Sequence, residues 1–250
     1  MVEKILALLT TVRDWYKVPF DKALGGYVFK YHMRRGSVFY CRTKTTDINE
    51  VVAVYSRREY PGWPEELRTN EPVWDVGANI GAFTVLAAAE LGSDREFLSI
   101  EPAPDNLRIL YENLGANGLP LNWVCEAAVG PHTGKGWLTT GRAPDAYRLT
   151  QEPTGVAVRV VTLDELAGIS RTPVVGLLKL DCEGSEYDAL DGSGDFLRRC
   201  VRHIFVEVHQ RGHDGESGGR AWVERWAGDN FACVAWRENI LHLRNLRLRQ

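Results

Sequence analysis

The run Val73-Trp74-Asp75-Val76-Gly77-Ala78-Asn79-Ile80-Gly81-Ala82-Phe83 constrains this chain more than any other. It leads a short apolar strand into an acid and two glycines, and then into the helix-forming stretch 83–89. Glycine lets such a turn take φ > 0 and lets a ligand approach the backbone, while the start of the helix offers unpaired N–H donors. Strand, tight turn and helix in this order form a nucleotide-binding edge of an α/β sheet. The spacing selects among nucleotides. A dinucleotide fingerprint requires Gly-x-Gly-x-x-Gly, but Asn79 stands at the second glycine position and Ala82 three residues after it, so close packing against a pyrophosphate is disfavoured. A second apolar run, 96–100, ends in Glu101 and Pro102. An acid at the carboxyl end of the neighbouring strand is placed to accept both hydroxyls of a ribose.

The rest of the chain narrows the class. Its 250 residues suit one large α/β domain or a domain with an arm, and 44% hydrophobic content suffices for a core. Thirty basic against 33 acidic residues, a net charge of −3, supply no broad field for a phosphate backbone, so nucleic acid is a poor partner. Five cysteines without a Cys-x-x-Cys pair read as reduced thiols of a cytoplasmic protein. His209 and His213 are four apart but lie among glycines, where the helical geometry of a metal pair is not expected. No apolar run approaches the ~18 residues of a membrane span, and the amino terminus lacks a cleavage-site pattern. Val2, Ile5, Leu6, Leu9, Val12 and Tyr16 instead follow a helical stripe, which can dock on its own domain, on a second copy in a homo-oligomer, or on a membrane surface.

The chain divides near Asn70. Residues 1–70 read as an arm holding the amphipathic helix, an alternating strand at 36–42 and a helix start at 45–50, with Pro61-Gly62-Trp63-Pro64 breaking the chain before the core. In 71–250 strands and helices alternate, which predicts a mostly parallel sheet with helices on both faces. Strands are expected at 72–76, 96–101, 122–128, 174–181 and 203–208, with helices at 81–91, 105–117 and 183–191 and a turn at 196–199. Phe231 to Trp236 and Ile240 to Arg244 read as a closing antiparallel hairpin. Between the third and fourth strands, 134–139 and 156–161 alternate like two extra strands joined by a polar loop at 142–151, a connection long enough to face a substrate.

Taken together, the blocks Asp75-Val76-Gly77-Ala78-Asn79-Ile80-Gly81, Glu101-Pro102-Ala103-Pro104-Asp105-Asn106, Ala127-Ala128-Val129-Gly130, Val161-Thr162-Leu163-Asp164-Glu165-Leu166, Leu178-Lys179-Leu180-Asp181-Cys182-Glu183-Gly184-Ser185-Glu186 and Phe205-Val206-Glu207-Val208-His209 resemble the FkbM-type family of class I methyltransferases. Thr45-Thr46-Asp47-Ile48 and Arg58-Glu59-Tyr60 match its pattern upstream. The resemblance covers roughly residues 36–209 and departs in the short glycine-rich segment after His209. It implies a Rossmann-like class I methyltransferase sheet, S-adenosylmethionine (SAM) as cofactor, and O-methylation of a hydroxyl on a small molecule or sugar. It places SAM against Asp75, Gly77, Asn79, Gly81, Glu101, Pro102, Asn106 and Asp181.

The residues carry that chemistry on their own terms. Methyl transfer is an in-line displacement, so the protein mainly aligns the partners and removes the proton of a poorly nucleophilic hydroxyl. Asp181, at the end of strand four, is the first choice of base; Glu183, Glu207 and His209 compete with it. Lys179 shares a face with Asp181 by period-two alternation, and a buried ammonium there needs a carboxylate neighbour, tuning the site or holding the acceptor. Glu126 is expected to take the adenine amine, with Ala127 small enough for the ring to pack closely. Asp181, Glu183 and Glu207 also offer the oxygens that Mg²⁺ favours, although no spacing marks a metal. The segment 209–220 reads as a mobile loop on the ligand edge. RNA ribose methylation and a non-catalytic SAM-binding domain are the competing readings; the missing basic surface opposes the first and the retained Lys179, Asp181 and Glu207 the second.

Overall fold

The computed structural model describes residues 2–56, 60, 70–140, 147–169, 173–209 and 219–248. Arg58-Glu59, Pro61-Gly62-Trp63-Pro64, the first part of the polar loop at 142–146 and the glycine-rich segment 210–218 lie outside the described residues. The chain begins with α1 (Val2–Thr11), α2 (Val18–Ala23), the antiparallel pair β1 (Val28–His32) and β2 (Val38–Arg42), and α3 (Asp47–Tyr55). There follow β3 (Val73–Val76), α4 (Ala82–Leu91), β4 (Phe97–Ile100), α5 (Pro104–Ala116), β5 (Val124–Cys125), β6 (Ala128–Val129), β7 (Gly134–Thr140), β8 (Tyr147–Thr150), β9 (Val156–Val161) and α6 (Leu163–Ile169). The last third holds β10 (Val175–Leu180), α7 (Glu186–Gly192), α8 (Gly194–Cys200), β11 (Val201–Glu207), α9 (Arg220–Ala227), β12 (Phe231–Arg237) and β13 (Ile240–Asn245).

A seven-stranded sheet in the order β12-β13-β11-β10-β3-β4-β5 forms the centre. Its inner strands are parallel, and β13 enters antiparallel between β11 and β12. β3, β4 and β10 are buried along their whole length, as strands covered on both faces must be, and this is why they read as apolar runs broken only by Asp75, Ser99 and Lys179. Ile48, Phe83 and Leu110 from α3, α4 and α5 fill one side of the sheet; Tyr187, Leu197 and Val223 from α7, α8 and α9 fill the other. From β3 the chain builds outward through β4 and β5, then returns to place β10 on the opposite side of β3. The carboxyl ends of β3 and β10 thus flank the topological switch point, where open α/β sheets bind ligands.

Three local readings change. The span 122–128 is no single strand: residues 121–123 form a 3-10 turn, Val124-Cys125 pairs with β4, and Ala128-Val129 leaves to pair with β9. Part of the polar loop is also a strand, since β8 pairs with β7 in a four-stranded sheet ordered β6-β9-β7-β8. Leu149 of β8 packs where Gly136 and Gly130 carry no side chain: a Cβ on Gly136 would stand 2.8 Å from its Cδ1. That contact is invisible in a polar sequence window. The turn at 196–199 is the helix α8, with Phe196 and Leu197 buried.

The first 56 residues share the core of the rest. Tyr31, Phe39 and Ile48 sit in one cluster with Phe83 and Leu110. Two α5 carboxamides saturate β2: Tyr40 N–H donates to Asn113 Oδ1 (2.6 Å) and Val38 N–H to Asn117 Oδ1 (2.9 Å). Of the amino-terminal stripe, only Val12 is fully buried, whereas Val2, Ile5, Leu6 and Tyr16 are exposed and Ala7 faces inward instead. Among the described residues no helix is long and apolar enough to cross a membrane.

Candidate active site

Gly77 leaves β3 at φ 75°, and its N–H and that of Ala78 both donate to Ile100 O (2.9 and 3.0 Å), which pins the turn to β4. On the other side, Asp181 N–H donates to Val76 O (3.1 Å), and a Cβ on Gly77 would lie 1.6 Å from the Asp181 carbonyl oxygen. The glycine is therefore required first by the chain itself. Lys179 closes the arrangement from below. Its Nζ donates to Gly77 O at 2.8 Å and lies 3.1 Å from Asp75 Oδ1 and 3.4 Å from Asp181 Oδ2. Burial opposes its charge, but Asp75 and Asp181 outweigh that and hold Lys179 above its ordinary pKa. The expected carboxylate neighbour thus exists twice over. Asp75 is 1% exposed and also accepts from Thr84 Oγ1 (2.7 Å), so it braces the turn from beneath.

Asn79 holds the left-handed φ of 50° that an asparagine tolerates. Its N–H donates to Glu101 Oε2 (2.8 Å) and its carboxamide to Glu50 of α3. The other Glu101 oxygen accepts from Ala103 N–H (2.9 Å) and Asn106 Nδ2 (3.2 Å), while Arg42 donates to Asn106 Oδ1 (2.9 Å) and pairs with Asp47. Burial raises the Glu101 pKa against these donors. Three of its four lone-pair sites are thus taken, and one on Oε2 stays open to a further donor.

These groups open into a cleft at the switch point. Gly77, Asn79, Glu101, Pro102, Asn106, Ala127 and Asp181 line it, joined by Ile100, Ala128, Val129, Tyr147 and Leu149, which supply an apolar wall. Three expected cofactor residues stand apart from it. Asp75 and Gly81 are not among the lining residues; Gly81 caps α4 at φ 86°, tight against Leu110. Glu126 is exposed and accepts from Tyr111 Oη (2.8 Å), because the chain turns there from β5 toward β6 and only Ala127 faces the cleft.

Beyond Asp181 lies an acidic cluster, of which Cys182 and Glu183 line the cleft. Cys182-Glu183-Gly184 form a turn with Glu183 at φ 54° and Gly184 at 105°. A non-glycine residue in that region stores strain of the kind found at functional sites. Glu186, 1% exposed, ties the turn down: its Oε1 accepts from Cys182 N–H (2.8 Å) and Gly184 N–H (3.1 Å), and meets His209 Nδ1 at 2.9 Å. His209 Nε2 then faces Glu207 Oε1 at 3.8 Å and Glu183 Oε2 at 3.9 Å. Glu207 accepts from Asn239 Nδ2 (2.7 Å) at the hairpin turn. Burial, with Asp181 nearby, pushes the Glu207 carboxyl up to about 7. Burial alone would lower His209, but Glu186 raises it to about 9 with help from Asp181 and Glu207. Ligand-type atoms of Asp181, Glu186 and His209 lie within 4.8 Å of one another. Glu186 Oε1 is nevertheless already saturated by two amides and the imidazole.

Sequence reasoning brought Asp181, Glu183, Glu207 and His209 to one place but gave no part to Glu186, Glu50 or Arg42. The first had a signal in its Ser185-Glu186 helix start; the other two lie about 30 residues or more from the turn they support. With this geometry, the match of residues 75–240 to the model of the methyltransferase FkbM domain decides the family. The chain belongs to the FkbM methyltransferase family. That family is one of SAM-dependent class I methyltransferases. The chain is 27% identical over 148 residues to the hexuronic acid methyltransferase AglP of Haloferax volcanii, covering 58% of this chain and 59% of that relative. It is 28% identical over 220 residues to the 31-O-demethyl-FK506 methyltransferase FkbM of Streptomyces tacrolimicus, covering 75% of this chain and 82% of the relative. The crystal structure of methyltransferase FkbM from Methylobacillus flagellatus KT overlays with a TM-score of 0.40 at 18% identity, over 63% of this chain and 42% of that one.

Proposed function

We propose that this chain transfers a methyl group from SAM to a hydroxyl of a small molecule or sugar, with the cleft at the switch point as the cofactor site and the acidic cluster as the acceptor site. One observation carries the reading: the lining that suits a nucleoside, Glu101 with Gly77, Asn79 and the apolar Ala127–Val129 wall, runs on to Asp181 and Glu183, and Glu183 faces the same His209 imidazole as Glu207. Glu101 would hold the ribose, and Ile100, Ala127 and Val129 would pack against the purine. SAM, when bound, supplies a methyl carbon already activated by its sulfonium.

The chain's own residues then align and deprotonate the acceptor. The 3.8 Å separation of His209 Nε2 and Glu207 Oε1 is too long for a direct hydrogen bond and admits one bridging oxygen. A hydroxyl there receives a hydrogen bond from the imidazolium and gives its proton to Glu207 as the oxygen–carbon bond forms. We assign the base to Glu207 rather than Asp181. A carboxyl near 7 is matched to neutral pH, whereas Asp181 is engaged with the Lys179 ammonium at 3.4 Å. Asp181 and Lys179 instead fix the junction of the two β-strand ends. No step requires a metal, so a chelator is expected to leave the rate unchanged; inhibition by EDTA rescued with Mg²⁺ would recast the carboxylates as ligands.

The deciding experiment is a mass-spectrometric screen of hydroxyl-bearing metabolites and sugars with labelled SAM. A mass gain of one methyl on oxygen supports the reading. SAM binding in calorimetry with methylation only of nitrogen or carbon acceptors would overturn it.

A further inference from the structure

A face outside the lining of the cleft carries a different chemistry. Phe20, Leu24 and Tyr27 are 59%, 42% and 58% exposed, large apolar side chains standing in water within eight residues. Phe20 and Leu24 line a shallow groove with Val28 and Phe29, and Lys17 and Lys30 border it side by side, Lys17 Nζ donating to Lys30 O (2.9 Å). Lys22 on α2 and Lys44 are exposed, and the Lys44 stem lies against Gly25, its Cδ 3.4 Å from where a Cβ would stand. The apolar patch thus has a lysine rim.

The charge around it is one-sided by construction. Between residues 12 and 44 the only acids are Asp14 and Asp21, 8% and 2% exposed, and every exposed charge is positive: Arg13, Lys22, Lys30, Arg34 and Lys44, with Arg35 paired to Glu90 (2.8 Å) away from the groove. Asp14 is further absorbed by Lys17 (3.0 Å) and His32 (2.7 Å). This is a local excess in a chain whose net charge is −3. Trp15 and Tyr16, 42% and 56% exposed, extend the aromatic content of the same segment.

We infer that the α2–β1 face is a docking surface for an anionic lipid bilayer. Protruding aromatic and aliphatic side chains enter the headgroup boundary while surrounding lysines meet the negative surface potential. A second copy of this chain suits the face poorly, because a two-fold contact brings the lysine rim against itself. A nucleic acid would use the positive charge but leave Leu24 and Val28 without a partner.

The test is co-sedimentation of the full chain with phosphatidylcholine vesicles, with and without phosphatidylserine. Binding is expected only to the anionic vesicles, and it should weaken as salt screens the lysines. Lys22→Ala and Lys30→Ala should each cut partitioning about fivefold, the equivalent of ~1 kcal/mol per charge near such a surface. Phe20→Ser with Leu24→Ser should abolish it while leaving SAM binding intact, since neither residue borders the cleft. Equal binding to neutral vesicles, no binding to anionic ones at low salt, a stable dimer dissolved by the serine pair, or preferential capture of duplex DNA would each overturn the inference.

Discussion

Glu207, His209 and Glu186 show how three side chains acquire properties that none has alone. Glu207 titrates near 7 because burial and Asp181 disfavour its charge, with Lys179 and His209 opposing them and Glu183 facing the same imidazole. Its carboxylate form is therefore populated above that value, so methyl transfer should rise with pH through about 7. Single-turnover rates across pH would check this. Glu207→Gln should remove that limb and cut the rate by the ~10²–10⁴-fold of general-base catalysis; a parental profile would return the role to Asp181. For His209 the raised pKa means that the folded state holds its proton more tightly than the unfolded chain. The associated stability is present below about 6.5 and is lost as pH rises through about 9. Glu186→Gln should bring the imidazole titration back toward its ordinary value and flatten this part of the stability profile, as NMR titration and urea unfolding on either side of that window would report. Gly77 belongs to the same scale. Gly77→Ala places a methyl inside the Asp181 carbonyl, so it should destabilise the protein by more than ~2 kcal/mol with no ligand present. Unchanged unfolding with lost SAM affinity would make the glycine a ligand requirement only.

At the scale of elements, α3 and β2 act as the outer brace of the cofactor turn. Glu50 holds the Asn79 carboxamide and Arg42, paired with Asp47, holds Asn106, so two of the three donors to Glu101 are positioned from the amino-terminal region. Glu50→Ala should weaken SAM binding by about 1.5–3 kcal/mol, the range for a hydrogen bond to a charged group. Glu101→Ala should cost at least as much, because it removes the ribose acceptor as well as the anchor of the turn. Calorimetry on the two variants separates them: an unaltered Glu50→Ala would mean that Asn79 keeps its left-handed conformation unaided. The small sheet of β6, β9, β7 and β8 has a related part, bringing Tyr147 and Leu149 to the cleft from a segment whose polarity hides its strand.

For the whole molecule, a ligand that binds the folded chain alone raises its melting temperature. SAM at a hundred times its dissociation constant should add ~2.7 kcal/mol, about 5–10 °C for a domain of this size, whereas NAD should give no shift; the reverse pattern would overturn the cofactor assignment. The sequence by itself determined the parallel sheet, the glycine turn, the acid after β4 and the closing hairpin. Each is encoded locally, in mostly apolar strands, in the αL-tolerant Gly77 and Asn79, and in the polar residues that end a strand. It also determined that Lys179 needs a carboxylate, since a buried ammonium has no other stable state. The tertiary structure decided what depends on meetings across the chain. Parallel pairing of β10 with β3 and β11 puts Asp75, Lys179, Asp181 and Glu207 at adjacent strand ends. The turn after β10 and the end of β11 then bring Glu186 against His209. It likewise turned Glu126 outward and left the α2 face in water, because side-chain direction follows from where the backbone turns and what packs beside it, and neither is written in local spacing.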